Sequence, residues 1–487
     1  MEDSRTNAGA THPLKLVFTQ LSVPVPAGPP NPPLARSHHT LTVLGNKAVI
    51  FGGRDASGAL CPPGIHTLTL PTPNPSRSRT PQSPEATASP HRTSTPNPVT
   101  SYYTSYPPYT LHDDSTGELL LPCPRAEHAA CARDREGRFL LVHGGRLEEA
   151  KNGTKSEQRR EEPNRNGNDK DEEDDVDDNN NCMWQWDTKH LRWMKLRGET
   201  QIGESMAAPR WGHWIFADRD TVGDEDDGRG QEFVILIGGR TASCAGHGVP
   251  YPESGTQRQA WMYDLHAGVW TALPALPARP LAAAYADKRV YVLSNGAGPD
   301  GHPTTVVHYL DLHVSAVERE RRGALVWQKV PKHPHSHAHG RGPEPREGGA
   351  LIPLTTRHGR EYLVYMFGYS DSNGEKKFHS DVWTLQIPAK RHTLAAMTDK
   401  LRETLLPGGD SGEWHWAQAE VVLPEHNGAD AKVHPGPRAM FGADSCLDGH
   451  GVVVWGGIGP QGETLSDGWL IKPASGHLDH GRQEHQV

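Results

Sequence analysis

The chain reads as an all-β protein built as a six-bladed β-propeller. Three observations predict this: a motif order that recurs six times, short apolar runs bounded by glycine and proline, and a last unit lacking a strand that a run near the N-terminus supplies. The 51 glycines and 42 prolines among 487 residues favour many turns over long helices.

Each unit opens with an arginine, at Arg36, Arg125, Arg210, Arg279, Arg346 and Arg438. An apolar run follows and ends in a glycine-rich turn. Gly52-Gly53, Gly144-Gly145, Gly238-Gly239 and Gly456-Gly457 are intact doublets, and Asn295-Gly296 and Gly368-Tyr369 are degenerate ones. Glycine suits this position because it admits backbone angles that a Cβ forbids. An aromatic run comes next, at 65–70, 183–187, 261–265, 307–312, 381–387 and 468–471. Its large side chains suit the packing of one blade on another. Trp193, Trp270, Trp327 and Trp416 then begin a fourth strand in four units. The last unit stops after its third strand, so the run Leu14 to Leu21 is expected to complete blade six and close the ring.

This order of Arg, Gly-Gly, aromatic strand and Trp resembles the kelch repeat over 14–472, leaving tails at 1–13 and 473–487. A WD40 reading would need Gly-His early and Trp-Asp late in each unit. Only Gly212-His213 and Trp186-Asp187 occur, in the reverse order. Six units in 487 residues average about 81 each against roughly 50 for a kelch unit, so insertions are expected. Residues 71–108 hold ten prolines among Ser and Thr and read as disordered or polyproline-like. Residues 148–182 carry 13 acidic and 6 basic side chains, and 218–230 carry six acidic and two basic. Without those two acidic segments the formal charge moves from −9 to +2, so the acidity lies in loops. A fourth insertion, 388–413, has room for a short helix around Leu394 to Leu406.

The N-terminus has no apolar stretch for a signal or span, and Cys61, Cys123, Cys131, Cys182, Cys244 and Cys446 are scattered without a CxxC pair. The expectation is a soluble, cytoplasmic monomer with free thiols. No basic field invites nucleic acid, and no membrane contact is expected. No GxSxG, P-loop, HExxH or Rossmann fingerprint occurs, so no cofactor is expected.

One arginine per blade at one structural position predicts a ring of six guanidinium groups at a channel mouth, suited to an acidic protein segment or an anionic small molecule. The resemblance implies the same, since some kelch adaptors contact acidic motifs through equivalent arginines. The alternative use of these arginines is to fix the entry turn by bonding neighbouring carbonyls. His39, His128 and His213 stand three residues after the first three arginines, where Ala282, Gly349 and Phe441 follow in later units. Three imidazoles on one side suit proton transfer or an amphipathic pocket, and packing is the competing role. The alternating histidines of 333–339 lie in a loop, and no metal site is expected from them. Function therefore reads as a protein-interaction or ligand-binding platform. The alternative is a cofactor-free small-molecule binding protein, cyclase or isomerase of a secondary-metabolite pathway, of polyketide type. The Pro/Ser and acidic insertions resemble those of kelch proteins of filamentous fungi, some encoded beside such synthases.

Overall fold

The structure, a computed structural model, describes residues 13–23, 35–71, 99–100, 103–107, 121–134, 136–147, 182–196, 209–220, 231–241, 258–297, 301–312, 325–331, 342–357, 359–372, 374–388, 414–422 and 433–474. Among these residues every regular element is a strand, and no helix is long and apolar enough to cross a membrane. The helix expected near Leu394, the histidines of 333–339 and nearly all of the acidic insertions lie outside the described residues.

Strand β1 (Lys15–Ser22) precedes the first blade, which is β2 (Thr40–Leu44), β3 (Lys47–Phe51), β4 (Ile65–Thr69) and, after the two-residue β5 (Val99–Thr100), β6 (Tyr103–Tyr106). Blade two is β7 (Ala129–Ala132), β8 (Phe139–His143), β9 (Met183–Asp187) and β10 (Arg192–Leu196). Blade three is β11 (Arg210–Asp220), β12 (Gln231–Thr241), β13 (Ala260–Asp264) and β14 (Trp270–Leu273). Blade four is β15 (Pro280–Ala286), β16 (Arg289–Ala297), β17 (Pro303–Asp311) and β18 (Gln328–Lys329). Blade five is β19 (Ala350–Thr355), β20 (Glu361–Met366), β23 (Val382–Gln386) and β24 (His415–Gln418), with the hairpin β21 (Tyr369–Ser372) and β22 (Glu375–Phe378) between its second and third strands. After β25 (Glu420–Val422), blade six is β26 (Gly442–Cys446), β27 (Gly451–Trp455) and β28 (Gly468–Pro473), completed by β1.

Two details depart from the sequence reading. Tyr103–Tyr106 lies at the end of the stretch read as a proline-rich insertion, yet it pairs antiparallel with Ile65–Leu68 as the outer strand of blade one. In blade four the expected turn at Asn295-Gly296 is continuous strand, because β16 and β17 stay paired out to Ala297 and Pro303.

No single core fills this ring. Among the described residues, buried side chains gather into six clusters, one between each pair of adjacent blades. Alternation along β1 serves two of them: Leu16 and Phe18 enter the cluster between blades five and six, and Leu21 enters the one between blades six and one. The strand runs antiparallel to β28, from Leu16 opposite Pro473 to Leu21 opposite Gly468. Its outer edge is also occupied, by parallel pairing of Lys15–Val17 with Glu420–Val422 and of Leu21–Ser22 with Val99–Thr100. Phe18→Ala should therefore cost about 3–5 kcal/mol, as a buried aromatic lost from a seam. Lys15→Ala, at an exposed ion pair with Glu420, should stay within about 0.5 kcal/mol. Urea denaturation of both variants checks the contrast, and equal destabilisation would mean that β1 does not close the ring.

Candidate functional site

The unit arginines begin the inner strands at one end of the channel, but five of the six do not open to it. Arg36, Arg125, Arg210, Arg346 and Arg438 are all at most 2% exposed. Each donates Nη1 to the carbonyl at the first position of its own blade's turn: Gly52 (3.0 Å), Gly144 (2.8 Å), Gly238 (2.9 Å), Phe367 (3.3 Å) and Gly456 (3.0 Å), which corrects blade five's turn from Gly368-Tyr369 to Phe367-Gly368, with φ +55° and +90°. The remaining donors find partners that differ by blade. Arg346 and Arg438 form two-pronged pairs with Asp381 (2.5 and 3.1 Å) and Asp467 (2.9 and 3.1 Å). Each of these carboxylates also accepts from the indole of Trp383 or Trp469 two residues on. Arg210 bonds Gln259 (3.0 Å). Arg36 donates to Nε2 of His66 (2.6 Å), which leaves Nδ1 to donate to the Tyr103 hydroxyl (2.7 Å). Five of the six arginines therefore take the alternative use and fix their turns as buried latches, because the turn carbonyls lie within reach and the side chain turns into the sheet. Only Arg279 reaches solvent, where it pairs with Glu347 at 2.7 Å.

The second position of the turn joins neighbouring blades. Gly53 donates its N–H to the carbonyl of Arg125 (2.8 Å), Gly145 to Arg210 (2.9 Å), Gly368 to Arg438 (2.8 Å) and Gly457 to Arg36 (2.7 Å). A Cβ on Gly52 would stand 2.6 Å from the Arg125 carbonyl oxygen and 2.7 Å from the His128 ring, and φ there is +60°. That contact explains the histidines. His39, His128 and His213 are about 5% exposed or less, and each rests on the first glycine of the preceding blade's turn. Burial holds His39 down to about 3, and His128 and His213 well below their ordinary value. They are neutral seam residues, and the proton-transfer role expected for them has no open imidazole to serve it.

The exposed charge at this end comes from residues that the repeat pattern left unremarked. Directly after the glycine doublets of blades one to three stand Arg54, Arg146 and Arg240. Their backbones pair with Ser37, Ala126 and Trp211 beside the unit arginines, which sets them on the lip of the channel. Arg146 is 53% exposed on its side chain, lies 3.5 Å from Glu127 and stacks 5.4 Å from the Trp211 ring centroid. Arg54 donates to the Gly58 carbonyl at 2.7 Å. Lys376, from the extra hairpin of blade five, sits 4.7 Å above the Tyr369 ring. The fields of these groups meet over His38: burial lowers its proton affinity first, Glu127 opposes, and Arg54, Arg146 and Lys376 lower it further. Arg240 acts in the same region, lowering the proton affinity of Tyr369 against the larger effect of burial. The lip offers guanidinium forks beside aromatic faces, a donor set for carboxylate or phosphate.

No protein-family model matches the chain.

Removing Arg438 would leave Asp467 and the Gly456 carbonyl without their buried partner, so Arg438→Ala should cost about 3–5 kcal/mol. Arg279→Ala should cost less than about 1 kcal/mol. Equal costs in chemical denaturation would mean that the buried arginines do not latch the turns. Acid should also weaken the ring. His39, His66 and His143 are held near 3 by burial, whereas unfolded histidines protonate near 6.5. The unfolded chain therefore binds more protons as pH falls. The stability is complete above about pH 6.5 and declines below it by up to about 1.4 kcal/mol per pH unit per histidine. Asp444 acts oppositely and alone, its carboxyl raised to about 6 by burial despite accepting the Val43 and Ser445 N–H groups. A melting temperature that stays flat from pH 7 to 5 would contradict this balance.

Proposed function

We propose that this propeller is a kelch-type interaction platform, and that the channel lip bearing Arg54, Arg146 and Arg240 takes an acidic segment of a partner protein. The observation that carries the reading is the cationic run across blades one to three, with Arg146 and Arg240 exposed and Arg54 half-buried. It extends along the rim, which suits an extended chain of carboxylates better than a small anion. The order of arginine, glycine doublet and aromatic strand, with the arginine bonded to the turn, supports the kelch assignment. The small-molecule alternative drew on the resemblance of the insertions, which lie largely outside the described residues, and on the imidazoles of His39, His128 and His213, which are closed into seams.

A fluorescein-labelled peptide of alternating Asp and Glu tests the reading by anisotropy. Binding should weaken steeply with salt. The variant R54A/R146A/R240A should bind 10- to 100-fold more weakly while keeping its circular dichroism spectrum, taking charge-assisted contacts of about 1 kcal/mol each at a partly exposed site. Unchanged affinity in the folded variant would move the site elsewhere. Competition by inorganic phosphate at micromolar concentration would favour a small anion over a peptide.

A further inference from the structure

The lip is divided into two unlike halves. At the position paired with the residue after the unit arginine, blades one to three carry Arg54, Arg146 and Arg240, and blades four to six carry Ser294, which is buried, Tyr369 and Ile458. One step inward lies a second ring, made by the residue two after each unit arginine. Its backbone is continuous through five blades: Met440 donates to Gly348, His38 to Met440, Glu127 to His38 and Gly212 to Glu127, all at 2.7–2.9 Å. The same division holds here, with His38 and Glu127 in blades one and two and Met440 in blade six. Tyr369, Ile458 and Met440 all keep partial exposure.

This inner ring is also strained. The positions require a left-handed backbone, which Gly212 and Gly348 adopt freely at φ +62° and +66°. His38, Glu127 and Met440 adopt it with side chains, at +55°, +56° and +54°. A non-glycine residue held there pays for the clash of its Cβ with the backbone. The neighbouring blades show that glycine serves the same backbone bonds, so those bonds alone do not call for the strain. What His38, Glu127 and Met440 add is a side chain at the mouth: an imidazole and a carboxylate on one half, and an adaptable thioether on the other.

We infer that the partner segment carries an apolar side chain next to its acidic run, with the acidic residues over Arg54, Arg146 and Arg240 and the apolar one against Met440, Ile458 and Tyr369. This rests on the proposed reading of the lip as a site for an acidic segment. An all-acidic ligand would find on this half only Lys376, over the Tyr369 ring, and would leave Met440 and Ile458 uncovered, whereas a purely apolar one would leave three guanidinium groups beneath it.

Two labelled peptides test it against the full chain: an Asp/Glu octapeptide, and the same peptide extended by Leu-Leu. The extended peptide should bind at least tenfold more tightly. In the variant M440N/I458T that advantage should fall below threefold, while the affinity of the plain octapeptide is unchanged. Asn is chosen because it tolerates the left-handed backbone, and Thr keeps the branched shape that the strand bridge needs. Equal binding of the two peptides by the wild-type chain overturns the inference and leaves the acidic-segment reading standing. An advantage that persists in the variant also overturns it. Failure of both peptides to bind removes the reading itself, and the inference with it.

Discussion

Registry between blades depends on the arginine at the head of each unit being held at both ends. Its guanidinium bonds the first turn carbonyl of its own blade, and in four blades its backbone carbonyl receives the second turn N–H of the blade before. One residue therefore fixes a turn and a seam together. The energetic logic favours a buried guanidinium over an apolar side chain here, since five N–H donors in a rigid fork satisfy carbonyls that would otherwise be desolvated without partners. Asp381 and Asp467 neutralise that charge in blades five and six, while Gln259 and His66 solve the same problem with neutral acceptors. The glycines and the seam histidines go together in this arrangement, because a Cβ on Gly52, Gly144 or Gly456 would meet the neighbouring arginine carbonyl and imidazole, while blade five, with Phe367 at that position, packs against Phe441 in place of a histidine.

Blade four stands apart. Its arginine is solvent-exposed and paired with Glu347, its second and third strands run on past the level where other blades turn, and Ala282 occupies the seam-histidine position. Its contact with blade three is made instead by the stacking of Phe216 on Tyr285 and by Asp218, which takes the Tyr285 hydroxyl and Lys288. Loss of the doublet alone does not release the latch, since the degenerate turn of blade five still receives Arg346 on the Phe367 carbonyl and still donates from Gly368 to Arg438; in blade four the turn itself is replaced by continuous strand.

Much of this architecture is legible in the residues. Five buried arginines, four glycine doublets and the recurring aromatic runs sit where the local demand favours that residue type. The strand at Tyr103–Tyr106 escaped because its neighbours are prolines, and composition outweighs four residues whose role is fixed by pairing with blade one. The direction of the arginines escaped for a different reason. A guanidinium that bonds a carbonyl and one that faces water have the same letter, and only the distance to the turn separates them. A usable signal did exist in the third residue of Gly53-Arg54, Gly145-Arg146 and Gly239-Arg240. It recurs in three blades and is absent from the others, which is the mark of a surface feature of part of the ring and not of the repeat itself.

The closing strand has a consequence for how the chain reaches this shape in time. Leu16 and its partner Pro473 are separated by roughly 450 residues, so β1 leaves a ribosome long before the strand it pairs with. Until then β1 is an apolar strand without its partner, and the seams on either side of blade six lack Leu16, Phe18 and Leu21. Closing so long a loop is slow, and the exposed edges of the open ring are open to pairing with another chain. Newly made copies at high concentration would therefore exchange β1 strands more readily than finished ones, in which β5 and β25 already occupy that edge.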